Sequence, residues 1–153
     1  MSKKIIVANW KMNPVSLKEA KALFDSVKKT SSNLSKVETV VCPPFIYLSE
    51  LGRPVSKLKL GAQDVSVFCF EGSHTGEVSA KMLKNSGVKY VIIGHSERRK
   101  IGETNETINK KIGTALSVGL KVIFCVGEEK RDKEGAFAEF IEIQISEGLR
   151  GLG

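Results

Sequence analysis

The run Tyr90 to Arg99, YVIIGHSERR, places an imidazole, a hydroxyl, a carboxylate and two guanidinium groups directly after an apolar stretch. Tyr90 to Ile93 is a short β-branched and aromatic run stopped by Gly94, the pattern of a strand buried on both faces. His95 is then the first side chain delivered beyond the strand, at the rim where parallel sheets bind ligands. Ser96 and Glu97 suit the start of a short helix, whose N–H groups lie close to the imidazole and disfavour its cationic form. The chemistry on offer is that of a positioned, uncharged imidazole, with a satisfied strand-end histidine as the structural alternative. Asn9 and Lys11, in ANWKMN, follow a second apolar run. Trp10 and Met12 are too bulky for a phosphate-cradling backbone there, so any role of Lys11 belongs to its side chain.

The elements that must position these groups alternate strictly. Strands are expected over Lys4 to Ala8, Val37 to Cys42, Leu58 to Ala62, Lys89 to Ile93 and Lys121 to Val126. Between the first two, Ser16 precedes a helical face made of Leu17, Ala20, Leu23, Phe24 and Val27. Further helical stretches are expected over Phe45 to Leu51, Ala80 to Asn85 and Glu106 to Val118, the last capped by Asn105 or Thr104. A final one runs from Ala136 to Leu149, with Phe137, Phe140, Ile141 and Ile145 at helical spacing. Lys130 to Gly135 reads as a charged, mobile loop. Such alternation means an α/β fold, a parallel sheet covered by helices in one domain over residues 1–153.

Composition narrows the partners. A charged fraction of 27% and a hydrophobic fraction of 41% are globular values. The net charge of +7 comes from lysines dispersed over helices and turns, read as solvated faces. No basic run is interleaved with aromatics, so nucleic acid is not expected, although an anionic metabolite is. No apolar run reaches bilayer length and no signal-peptide pattern follows Met1, so a cytoplasmic protein without membrane attachment is expected. Cys42, Cys69 and Cys125 lack CxxC spacing and His74 is not spaced as their partner, so reduced thiols are expected and no metal.

Polar exits follow four of the five strands: Asn9 and Lys11, Gln63 and Asp64, His95 and Glu97, Gly127 and Glu128. Gln63 and Asp64 read as a hydrogen-bonded scaffold, and Arg98 and Arg99 as structural ion-pair formers, with Glu103 or Glu106 as partners. Five such units fit either a complete flavodoxin-like sheet or the first part of a (β/α)8 barrel, and periodicity leaves that choice open.

Five motifs, in order, bear on it: ANWKMN (8–13), GAQDVS (61–66), HTGEVSA (74–80), VIIGHSERR (91–99) and KVIFCVGE (121–128). Together they resemble the triosephosphate isomerase family, and the resemblance runs through essentially the whole chain. It implies an incomplete barrel of about five parallel strands, lacking the sixth to eighth βα units. It implies the interconversion of dihydroxyacetone phosphate and glyceraldehyde 3-phosphate through an enediolate, in glycolysis and gluconeogenesis, with no metal or organic cofactor. His95 matches the electrophile that polarises the carbonyl and shuttles protons. Lys11 matches the fixed cation, Asn9 a substrate-side support for it, and Glu97 a carboxylate near that lysine. The loop from Phe70 to Ala80 matches one that inserts into a neighbouring subunit, so Thr75, Gly76 and Glu77 are expected at a homodimer interface.

Two departures from the family pattern carry expectations. The catalytic glutamate and phosphate lid have no counterpart, and Glu128, Glu129 and Glu134 do not match the motif of that base. The chain alone is therefore expected to be an inactive, truncated part of the enzyme, completed by a carboxyl-terminal segment. The alternative is a non-catalytic anion-binding or assembly module that keeps Lys11 and His95. The stretch RRKIGETNE is one residue shorter than the family's usual spacing, near Ile101.

Overall fold

The computed structural model describes residues 4–52, 58–128 and 136–152. Its five strands are β1 (Lys4–Asn9), β2 (Val37–Cys42), β3 (Leu58–Ala62), β4 (Tyr90–Ile93) and β5 (Lys121–Phe124). They lie side by side in chain order, and every neighbouring pair is parallel. That order rules out the flavodoxin-like arrangement, in which the first strand lies inside the sheet between the second and third. Five parallel strands curl into part of a barrel, with helices connecting them: an incomplete TIM barrel.

The helices are α1 (Leu17–Ser32), α2 (Ala80–Asn85), α3 (Ser96–Lys100), α4 (Asn105–Ser117) and α5 (Ala136–Gly148). Their starts follow from side-chain caps. Ser16, Ser79 and Thr104 each accept a hydrogen bond from the backbone N–H three residues on. Phe45–Tyr47 forms one 3-10 turn instead of the longer helical stretch expected to Leu51. The Tyr47 hydroxyl donates to the Pro14 carbonyl at 2.9 Å, tying that turn to the loop after β1. Lys130 to Gly135, Glu129 and Glu134 lie outside the described residues.

Period-two alternation sorts the strand side chains onto two faces. Val91 and Ile93 join Phe24, Leu48, Leu60, Leu83, Ile108, Ile112 and Leu120 in the core beneath the helices. Tyr90 and Ile92 point the other way and pack with Val40 and Cys42, against Ile123 and Cys125. β4 is thus buried on both faces, as its unbroken apolar run predicts. Gly61 on β3 permits the tightest of these contacts: a Cβ there would sit 2.4 Å from Cys42 Sγ.

The two edges differ from this centre. Ile5 and Ile6 of β1 are about half exposed. On α5, Phe137 and Ile141 are half-buried on the side of Gln144 and Gly148, whereas Phe140 and Ile145 are exposed, so only half of the expected apolar set faces inward. Gln144 instead pairs with the chain beyond β5: its Oε1 accepts from Gly127 N–H and its Nε2 donates to the Gly127 carbonyl, both at 3.0 Å.

Candidate functional site

Lys11 leaves β1 with φ +54, a left-handed conformation that costs a non-glycine residue roughly 1–2 kcal/mol. Hydrogen bonds to both of its peptide groups hold it there. Its N–H donates to Asn9 Oδ1 at 2.9 Å, and its carbonyl accepts from Gln63 Nε2 at 2.8 Å. Gln63 Nε2 also donates to the Cys42 carbonyl at 2.8 Å, so one amide links the exits of β1 and β2. The outcome is a lysine whose backbone is fixed and whose side chain turns across the sheet towards the exit of β4.

There Lys11 Nζ donates to Glu97 Oε1 at 2.6 Å. This hydrogen bond, reinforced by the charge of the ammonium, holds the Glu97 carboxyl below its ordinary range despite partial desolvation. Both side chains remain about half exposed, so the pair orients Lys11 and contributes little to stability.

His95 caps α3. Its Nδ1 accepts from Glu97 N–H at 3.2 Å, which requires the Nδ1 lone pair. A neutral ring in this position carries its proton on Nε2, and Glu97 Oε2 lies 3.6 Å from Nδ1. The structure therefore brings Lys11, Glu97 and His95 together at adjoining positions, with Asn9 one step behind Lys11. A cavity of about 590 Å³ beside His95 is lined by Gly94, Ser96, Arg99, Cys125, Gly127 and Gln144, among others.

The loop between β3 and α2 stands apart. Its base is closed by Ser66 N–H donating to the Val78 carbonyl at 3.0 Å. Its His74 ring stacks flat on Phe68, with centroids 3.4 Å apart, and is exposed. Thr75, Gly76 and Glu77 at its tip are also exposed, and Gly76 adopts φ +89. These residues line a second cavity, with Arg98 and Ile101 among others, and are not part of the His95 cluster.

Two groups depart from the sequence reading. Lys111, expected on a solvated face, is 5% exposed. Its Nζ binds Asp64 Oδ1 at 2.8 Å and also pairs with Glu103. The signal was present: Lys111 falls on the apolar stripe of α4 between Ile108 and Ile112. Arg98 does form ion pairs, with Asp64 at 3.0 Å and Glu103 at 3.8 Å. Arg99 does not pair with Glu103 or Glu106. It donates to backbone carbonyls and to Asn105, and Glu106 pairs with Lys110 at 2.7 Å. A third group, Tyr90 with Glu38 and Lys121, joins β2, β4 and β5 through charged residues of ordinary surface type.

Among the described residues, no helix is long and apolar enough to cross a membrane. The family model described as triosephosphate isomerase matches residues 4–153. Triosephosphate isomerase of Natranaerobius thermophilus is 45% identical over 152 residues, covering 97% of this chain and 59% of that protein. The protein of the same name from Alkaliphilus oremlandii is 48% identical over 137 residues, covering 88% of this chain and 54% of its own length. That of Dictyoglomus thermophilum is 45% identical over 156 residues, covering 99% and 62%. The chain spans about three-fifths of the length of these curated relatives. By strand order, motifs and these matches, the chain belongs to the triosephosphate isomerase family.

Proposed function

We propose that these residues form the electrophile-and-cation half of a triosephosphate isomerase site. The reaction is the glycolytic and gluconeogenic interconversion of dihydroxyacetone phosphate and glyceraldehyde 3-phosphate. One observation supports it above the others: Lys11, Glu97 and His95 meet with Lys11 paired to Glu97 and His95 Nδ1 already accepting a bond. His95 Nε2–H is then the donor for a substrate carbonyl, and for the enediolate oxygens that follow. Lys11 lies where a cation favours the anionic substrate and the developing oxyanion. Asn9 holds Lys11 and reaches the same substrate oxygen. No organic cofactor or metal enters this scheme.

The proton-abstracting base and the phosphate lid belong, in this proposal, to a complementing carboxyl-terminal segment. The carboxylates of Glu97 and Glu103 are bound by lysines, and Glu128 does not match the family's base. Lacking that base, the 153-residue polypeptide alone loses on the order of 10²–10⁴-fold in rate, before any loss of positioning. The setting is a cytoplasmic homodimer. Its surface is the projecting tip Thr75–Gly76–Glu77 and the apolar side chains of Val15, Ile46 and Ile101, which are 87%, 74% and 73% exposed. The Tyr47–Pro14 bond joins the loops of Val15 and Ile46, and Ile101 lines a cavity with Phe45 and Thr75.

The test is turnover of glyceraldehyde 3-phosphate by the purified chain, alone and with a polypeptide carrying the remaining two-fifths of a relative. We expect no turnover alone, and activity in the mixture that His95→Gln removes. Robust, inhibitor-sensitive activity of the chain alone overturns the division of the site. Binding of a phosphorylated enediolate analogue with no activity in the mixture supports the anion-binding module instead. Sedimentation of Ile46→Lys tests the dimer, which is expected to dissociate.

A further inference from the structure

The β4–β5 ladder closes with Cys125 N–H donating to the Ile93 carbonyl at 2.9 Å. Beyond it, Gly94 takes φ +75 and turns β4 away into α3, so the next carbonyls on the two strands have no strand partner between them. Arg99 fills that gap. Its Nε donates to the Gly94 carbonyl at 2.9 Å and its Nη2 to the Cys125 carbonyl at 3.4 Å. Its Nη1 donates to Asn105 Oδ1 at 2.6 Å, and Asn105 Nδ2 donates in turn to Glu147 Oε2 at 2.8 Å. One guanidinium thus joins both strand exits to the first turn of α4 and, through Asn105, to α5.

The fit leaves no slack at the residue before His95. A Cβ on Gly94 would lie 3.1 Å from Arg99 Nη2 and 3.1 Å from the Cys125 carbonyl oxygen. The Gly94 carbonyl belongs to the peptide whose nitrogen is that of His95. Holding that peptide plane holds the start of the His95 backbone, and with it the direction of the imidazole. A planar fork with several fixed donors suits this task, whereas an ammonium can bridge the same carbonyls only as a point charge.

We propose that Arg99 is a positioning residue for His95, supplying the rung that the β4–β5 ladder lacks and thereby fixing the imidazole that faces the ligand. The inference rests on His95 acting as proposed above, but its primary test does not require turnover. The chain has two histidines, so ring ¹⁵N spectra are assigned with His74→Gln alone. The wild-type chain is expected to show His95 chiefly as the Nε2–H tautomer. Arg99→Ala is expected to mix the tautomers several-fold towards Nδ1–H, with guanidinium ion, but not ammonium at equal ionic strength, restoring the wild-type shifts. Arg99→Lys is expected to fall between.

Asn105→Ala leaves Arg99 in place but removes its anchor, and is expected to give a smaller change in the same direction. In the complemented enzyme, Arg99→Ala is expected to lower kcat on the order of 10²-fold with KM little changed. An Arg99→Ala chain with wild-type thermal stability and unmoved His95 shifts overturns the inference. If that variant does not fold, unmoved shifts in Asn105→Ala overturn it. Absence of turnover in the complemented wild type, with His95 responding as stated, counts against the isomerase reading alone.

Discussion

A charged side chain in this molecule does one of two things, depending on how much water reaches it. Lys11 and Glu97 are half exposed, so their pair serves orientation. Because the pairing lowers the Glu97 pKa, the carboxylate stays ionised as pH falls through its ordinary value of 4.5 and is lost only below it. Lys11→Met is expected to bring the Glu97 titration back up towards 4.5, read by carboxylate ¹³C shifts, and an unmoved midpoint would contradict the contact. Lys111 is the opposite case. Its ammonium is buried against Asp64 and Glu103, and removing it leaves Glu103, whose side chain is 3% exposed, without its closest counter-charge. Lys111→Ala is expected to cost about 3–5 kcal/mol in denaturant unfolding, far more than loss of a surface lysine. The difference between the two lysines was half legible. Lys11 stands out in sequence because it follows a strand, whereas net charge and dispersal hid Lys111 among solvated residues.

At the scale of elements, the strands were readable because their β-branched and apolar runs are short, and those of β2, β4 and β5 meet Pro43, Gly94 and Gly127. Val37–Cys42 and Leu58–Ala62 came out with the bounds the sequence implied. β5 is shorter than expected because β4 turns away at Gly94, a tertiary event that no run of residues 121–126 records. On α5 the apolar spacing identifies the helix, but of its four spaced side chains only Phe137 and Ile141 turn to the buried side, because a polar residue, Gln144, takes the next inward position. Close packing also gives glycine a role that propensity does not show. Gly61→Ala would press a methyl group into Cys42 Sγ and Val40 Cγ1 on the neighbouring strand. We expect a loss of about 1–3 kcal/mol in chemical denaturation, and an unchanged midpoint would mean that β2 can yield.

For the whole molecule, the order of the strands decided what periodicity could not. A parallel sheet in chain order is part of a barrel, and its interior face already carries a layer of Val40, Cys42, Tyr90 and Ile92. Burial, assisted by Cys125, pushes the Cys42 thiol up to about 12, and burial also raises Cys125. Neither thiol forms its reactive anion readily near neutral pH. Alkylation at pH 8 is therefore expected to label Cys69 first and Cys42 only on unfolding, with mass spectrometry locating the adducts. Prompt labelling of Cys42 would show that the interior layer opens readily.

The Gln144 amide has the same donor and acceptor as a peptide unit, and it pairs both polar atoms of Gly127. Its position 17 residues downstream gives this pairing a place in time as well as in space. On a ribosome adding roughly 5–20 residues per second, about 1–3 s separate the synthesis of Gly127 from that of its partner. Through that interval water must serve both groups. The exit of the fifth strand thus takes its final shape only once the helix that follows it has been made.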